Sequence, residues 1–392
     1  MKTTRRAVQF AFLALTIGAV FLFQGNAEQW CPFGGVEAIY TYFAEGNMLC
    51  SLGVTNFYIL GAVLLITLLT RRAFCGYMCP VGTLSEWVQR GAVRIGIQPW
   101  SVPPRLDRTL ALLKYPVLTV ILFLTWRAAE LIFRGFDPCY ALISRHGEDI
   151  TLWAYVVAGV IVLASFVVIM PFCRWLCPLA AVLNPFSRFG LTRVKRDDSA
   201  CLDCGMCARV CPMAIPVDKV SEVTAARCLS CMNCVETCPE RSSGAVHWGP
   251  PRRLGGAWPG GVVVAVLLCC TAAAVAASYL APFPSFIKTR GEPSPATATV
   301  ELQIHELTCR GRGNLLMYYL ERDDMYELSG YLKLEAWPGP GAAPARVTYD
   351  PSLTDEASIR EAVTEPYFDR EATVWRPSPF AIEGYDPFGL DD

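Results

Sequence analysis

The chain is poor in the residues that most redox and nucleotide-dependent enzymes carry. It has only three histidines, His146, His247 and His305, and none lies in an apolar run, which argues against a bis-histidine haem inside a membrane. No Cys-x2-Cys-His occurs, so a c-type haem is not expected. No Walker loop or Gly-x-Gly-x-x-Gly marks a nucleotide site. The formal net charge is only −1 over 392 residues, so bulk charge implies no nucleic-acid partner. Residues 24–53 contain no Lys or Arg. In contrast, 53% of residues are hydrophobic and the mean hydropathy is +0.34, values that point to an integral membrane protein. There are 18 cysteines, in spacings of the metal-binding type rather than those of a secreted disulfide scaffold.

Twelve of those cysteines fall into motifs. Residues 201–212 read CLDCGMCARVCP and residues 228–239 read CLSCMNCVETCP. Each is Cys-x2-Cys-x2-Cys-x3-Cys-Pro, a run that binds [4Fe–4S] clusters and whose fourth Cys ligates the other cluster. The spacing therefore assigns Cys201, Cys204, Cys207 and Cys238 to one cluster, and Cys228, Cys231, Cys234 and Cys211 to a second. Cys-x2-Cys pairs also bind zinc, but the doubled eight-cysteine pattern with both prolines favours iron–sulfur. Two further pairs, Cys75/Cys79 and Cys173/Cys177, are Cys-x3-Cys-Pro. At i,i+4 on a helix end both thiols of a pair share a face, and the proline is expected to end the turn. Four thiols brought together there would hold an iron–sulfur cluster or another metal; the alternative is reduced structural thiols.

Five apolar runs predict membrane helices, at residues 7–27, 54–70, 112–133, 152–170 and 257–281. The first, after Lys2, Arg5 and Arg6, is read as an uncleaved helix rather than a removed signal. Residues 71–114 carry seven basic residues, 127–150 three and 171–256 eleven. By the positive-inside rule the N-terminus and the two-cluster module are cytoplasmic, and the tail lies outside, in the periplasm of a bacterial inner membrane. An internal repeat relates the first two spans to the next two. Each copy has an outer cysteine (Cys31 or Cys139), a span, then Cys-x3-Cys-Pro. Cys31 and Cys139 are thus equivalent, so a disulfide or a shared metal or cofactor site is one reading of them, but Cys50 is an odd third outer cysteine that leaves the pairing undecided. Arg127 and Glu130 lie on one helix face near the outer end. Cys269 and Cys270 are read as packing residues.

The expected organisation is a multi-domain membrane protein. Residues 1–190 form four helices with the two Cys-x3-Cys-Pro motifs, 191–253 the ferredoxin module and 254–284 a fifth helix. Residues 298–380 form a C-terminal α+β domain of βαββαβ, ferredoxin-like type, with residues 371–375 as its closing strand, after a linker at 282–295. Residues 381–392 form an acidic tail.

These motifs together resemble the membrane polyferredoxin family of the NapH, NosR and CcoG type, over about residues 7–281. The resemblance implies electron transfer between a quinol or cytoplasmic donor and a periplasmic redox enzyme or maturation pathway. It also implies a subunit of a larger membrane complex rather than a stand-alone enzyme, and quinone as a further cofactor. The chain departs from that pattern in having no room for the N-terminal flavin-bearing domain of NosR, and its tail does not match the immunoglobulin-like domain of CcoG. The tail instead resembles a heavy-metal-associated domain. Leu307-Thr-Cys309-Arg-Gly-Arg312 stands where that domain has Met-x-Cys-x-x-Cys, with Arg312 replacing the second Cys. Cys309 is a candidate soft-metal ligand on this basis, and it motivates an alternative function, a copper-cofactor assembly factor or metal reductase.

Overall fold

The helices begin with α1 (Lys2–Phe21), α2 (Pro32–Glu45), α3 (Thr55–Thr70), α4 (Ala73–Tyr77) and α5 (Pro80–Arg94). There follow α6 (Pro104–Leu110), α7 (Lys114–Ala128), α8 (Pro138–Ile143), α9 (Leu152–Val167), α10 (Pro171–Trp175) and α11 (Pro178–Arg188). The computed structural model describes all residues except 1, 22–29, 47–51, 129–130, 144–151, 241–242, 252, 254, 340, 370–372 and 386–392. Cys50, Glu130 and His146 lie outside the described residues. The chain packs as two units, Met1–Glu37 with Thr55–Leu280, and Ala38–Val54 with Ala281–Asp392.

In the first unit, strand β1 (Arg193–Arg196) follows α11. Short helices α12 (Met206–Arg209) and α13 (Asn233–Thr237), strand β2 (Val246–Gly249) and helix α14 (Gly261–Leu280) complete it. Among the described residues three helical stretches are long and apolar enough to cross a membrane: Thr3–Phe21, Pro104–Ala128 and Gly261–Leu280. The other two expected spans are shorter. Helices α3 and α9 have 16 residues each. At 1.5 Å per residue each covers about 24 Å, roughly 6 Å less than the hydrocarbon core. Each stops at a left-handed residue, Arg71 (φ 60°) or Met170 (φ 50°), and a short cysteine-bearing helix follows. Arg71 and Met170 are almost fully buried. Irregular backbone at membrane depth is tolerated where protein covers it.

Helix α3 packs on α14, α5 on α9, and α11 on α3 and α7. The shared core includes Val63 and Ile66 of α3 and Val263 and Leu267 of α14. Strands β1 and β2 pair antiparallel with Val194 opposite Trp248, and the Trp248 ring is buried, edge-on to Trp258.

The second unit holds β3 (Phe286–Arg290), β4 (Ala298–Ile304), α15 (Arg310–Leu320), β5 (Leu332–Ala336), β6 (Ala343–Tyr349), α16 (Glu356–Thr364), β7 (Tyr367–Asp369) and β8 (Val374–Arg376). It is a small α+β domain, but not the expected βαββαβ sheet. The sheet order is β3-β5-β6-β4, so its fourth strand comes from residues read as linker. Residues 374–376 pair with β7 in a separate hairpin instead of closing the sheet. The physical reason lies at Phe286. Its fully buried ring sits under α15 where a Cβ on Gly313 would come within 3.0 Å, so β3 fills the core edge beside β5. Ile382, read as the start of the acidic tail, is also buried and bridges Ile304.

Arg322 ties the ends of α15 and α16 together. It pairs with Asp324 and donates to the carbonyls of Ala362 at 2.9 Å, Glu365 at 3.1 Å and Pro366 at 2.7 Å. Arg322→Met strips these partners, and breaking a buried pair costs about 3–5 kcal/mol. We expect the tail domain of the full chain to become protease-sensitive at lower urea, with iron content unchanged. Protease resistance equal to wild type would refute this role.

Candidate functional site

The ferredoxin module is built from two matching loops. In each, the third and fifth positions of the cysteine run have positive φ: Asp203 (51°) and Gly205 (68°) in one, Ser230 (47°) and Met232 (60°) in the other. Such backbone turns N–H groups inward to form an anion-binding nest. The Asp203 N–H lies 3.5 Å from Cys201 Sγ and the Ile215 N–H 3.4 Å from Cys211 Sγ. Cys201, Cys204, Cys207 and Cys238 line one opening. Cys211, Cys228, Cys231 and Cys234 line another. These are the same two sets of four that the run spacing defines. Burial pushes the Cys211 thiol up to about 12 and raises Cys207 and Cys231 as well. Thiolates at this depth therefore need an adjacent cation, and cluster iron supplies one. Both openings fit a cluster. Among the described residues no three His, Cys, Asp or Glu side chains are gathered tightly enough for a single metal ion.

The two openings differ in setting. The Cys201 set is near the surface, with Cys204 exposed and Leu202 and Met206 exposed beside it. The Cys211 set lies deeper, and its loop rests on the first Cys-x3-Cys-Pro segment. The Arg72 backbone N–H donates to the Cys228 carbonyl at 3.3 Å, and Tyr77 Oη donates to the Ser230 carbonyl at 3.3 Å. Leu229 approaches Gly76 so closely that a Cβ there would lie 3.2 Å from it. From α1, Arg5 donates to the Gly76 carbonyl at 3.0 Å, to Glu86 at 2.6 Å and to Asn233 of the second loop at 3.2 Å. The second repeat copy is tied to the same loop. Asp107 accepts from Arg174 and Trp175 on one side and from Arg227, beside Cys228, on the other.

The Cys-x3-Cys pairs do not lie on continuous helices. Cys75 and Cys173 sit in α4 and α10, whereas Cys79 and Cys177 cap α5 and α11, which open on Pro80 and Pro178. Proline here starts a new helix rather than only ending a turn, because its missing N–H costs nothing at the first position. Cys79 and Cys177 stand at the N-cap positions of α5 and α11, without a side-chain cap hydrogen bond. The four thiols lie within electrostatic reach of one another. Among them is Arg72, fully buried. Its Nη2 is 4.0 Å from Cys75 Sγ, its Nη1 3.3 Å from Asn184 Oδ1, and its Nε has no hydrogen-bond partner among the described residues. Buried Lys114 also lies within electrostatic reach of Cys173 and Cys177. Two buried cations and two helix N-termini favour an anionic occupant. A cluster held by four thiolates is anionic, so the residues fit one.

Cys31 and Cys139 also meet, and their thiols hydrogen-bond to each other. Cys269 is exposed and Cys270 half-buried on α14. Arg127 is exposed at the end of α7. Cys309 is exposed at the N-terminus of α15, Arg312 pairs with Glu306 at 3.6 Å, and no tight ligand group forms there among the described residues. The sequence reading missed Arg72, Lys114, Asp107 and Arg227. Arg71-Arg72 next to Phe74-Cys75 was the available signal, but cations ending an apolar run read first as a topology marker.

A family model described as a 4Fe-4S binding domain matches twice, at residues 52–98 and 150–197. A 4Fe-4S dicluster domain matches residues 193–239. The double match falls on the two copies of the repeat. YccM of Escherichia coli (strain K12), named "Putative electron transport protein", is 30% identical over 268 residues, 62% of this chain and 74% of YccM. The chain belongs to the membrane polyferredoxin family. The ferredoxin-type protein NapH of the same strain is 26% identical over 261 residues, 60% of this chain and 85% of NapH. The regulatory protein NosR of Pseudomonas aeruginosa is 29% identical over 171 residues, 43% of this chain but 24% of NosR. No solved structure matches. The chain is thus an iron–sulfur membrane protein with [4Fe–4S] dicluster cofactors.

Asp107→Ala leaves Arg174 and Arg227 facing each other without their carboxylate. Breaking such a buried link costs about 3–5 kcal/mol. We expect the variant to lose iron and its iron–sulfur absorbance faster than wild type on exposure to air. Equal loss rates would show that the Asp107 link does not hold the Cys228 loop.

Proposed function

We propose that the chain carries electrons across a membrane, as a subunit of a larger redox complex. Iron–sulfur clusters, when bound, exchange single electrons. Cys201, Cys204, Cys207 and Cys238 hold the surface-proximal cluster. Cys211, Cys228, Cys231 and Cys234 hold the inner one, and Cys75, Cys79, Cys173 and Cys177 hold a third within the membrane unit. The observation that carries this reading is the hydrogen bond from the Arg72 N–H to the Cys228 carbonyl. It fixes a ligand loop of the inner set against the membrane set, and electron tunnelling falls steeply with separation. The exposed Cys204 end is the docking point for a cytoplasmic donor, or the receiving end of a quinol-linked route. Arg72 balances negative charge that would otherwise be costly to bury.

The Lys and Arg distribution supports a cytoplasmic ferredoxin module and a periplasmic tail. The bond from Arg5 to Asn233 supports a shared side for the N-terminus and the module. The partner across the membrane is a periplasmic redox enzyme or maturation pathway. The copper-assembly alternative rests on Cys309, around which no group of three or more His, Cys, Asp or Glu side chains forms among the described residues; the two cysteine runs and the four-thiol set favour electron transfer.

Proteoliposomes loaded with ferricyanide and supplied externally with reduced viologen provide the test. We expect ferricyanide reduction with wild-type protein oriented module-outward, and its loss when Cys75, Cys79, Cys173 and Cys177 are all Ala. A variant with undiminished transfer would overturn the route.

A further inference from the structure

The Cys31–Cys139 pair is not absorbed by the three proposed clusters. Cys31 N-caps α2, and the Phe33 and Gly34 N–H groups point at its sulfur. Its carbonyl accepts from Asn56 Nδ2 at 2.8 Å. Gly35 packs so tightly on α3 that a Cβ there would lie 2.7 Å from the Asn56 carbonyl oxygen. This close approach fixes Cys31 to the start of α3. Cys139 sits in α8, whose Asp137 accepts the Cys139 N–H at 2.8 Å; α8 packs on α9 and α5. The two equivalent cysteines of the repeat lie within side-chain hydrogen-bond reach of each other. No third His, Cys, Asp or Glu joins them closely enough for a metal ion among the described residues. Both remain partly accessible. Cys139 is also within electrostatic reach of Cys79, which links the pair to the four-thiol set.

We propose that Cys31 and Cys139 form a redox-active dithiol–disulfide couple, the far terminus of the electron route, which reduces a disulfide-bearing partner. This rests on the transmembrane reading above. In the reduced pair the Cys31 sulfur, favoured as thiolate by the α2 N-terminus, attacks one sulfur of the partner disulfide. The partner S–S bond breaks, a mixed disulfide forms, and the first partner thiolate leaves and takes a proton. The Cys139 sulfur then attacks Cys31 Sγ, the Cys31–Cys139 bond forms, and the second partner thiol is released. Two electrons arriving singly through the Cys75 set, with two protons, restore the dithiol.

Peptide mapping of alkylated full-length protein tests this. We expect a linked Cys31–Cys139 peptide in air-oxidised protein, and two alkylated thiols after dithionite reduction. Cys31→Ser and Cys139→Ser should each abolish the link and keep wild-type iron. Each should also slow reoxidation of the reduced clusters by oxidised lipoamide about tenfold or more, while ferricyanide reoxidises them as in wild type. Free thiols at both positions in oxidised protein would overturn the couple. A link that dithiothreitol opens but dithionite-reduced clusters do not would instead overturn the electron route, leaving the couple in place.

Discussion

A guanidinium that is fully buried within electrostatic reach of Cys75, Cys173 and Cys177 sets the conditions for the rest of the membrane unit. An isolated charge at this depth is costly by many kcal/mol. Among the described residues Arg72 has one side-chain oxygen within reach, on Asn184, and an unpartnered Nε, so its compensation must come largely from the thiols as anions. Thiolates, in turn, need cations or metal. Arg72, Lys114, the N-termini of α5 and α11, and a bound cluster core would satisfy one another, and each is unfavourable alone. The same residue gives its backbone N–H to Cys228, so charge compensation and docking of the ferredoxin module are one event.

The module is held by both copies of the repeat. Arg71 donates to the carbonyls of Thr192 and Ala225, and Asp107 joins Arg174 to Arg227. These bonds flank the loop that opens the second cysteine run. The first run has fewer such ties and leaves Cys204 exposed. This asymmetry leaves one set of four cysteines near the surface and the other deeper.

The sequence made the repeated apolar spans, the two cysteine runs and the paired Cys-x3-Cys-Pro motifs legible, because spacing along the chain encodes them directly. It did not reveal that α3 and α9 stop short. Arg71 and Met170 adopt left-handed conformations that nothing in their side chains announces. Nor did it reveal that Cys79-Pro80 and Cys177-Pro178 begin helices, since proline signals both a stop and a start. In the tail, β4, α15, β6 and α16 were readable from alternation and capping, with Asp355 accepting from the Ser358 N–H. The identity of the fourth strand was not. It depends on Phe286 filling a space under Gly313, a tertiary fit with no local signature, whereas residues 374–376 are exposed and have no core face to contribute.

The central claim is that the four Cys-x3-Cys thiols hold a third cluster in contact with the ferredoxin loop. Anaerobic iron and sulfide quantification with EPR, on wild type and on the variant with Cys75, Cys79, Cys173 and Cys177 all Ala, tests it most directly. The account predicts about twelve iron atoms per wild-type chain and about eight in the variant, with one EPR component lost. About eight in both proteins, with identical spectra, would contradict it.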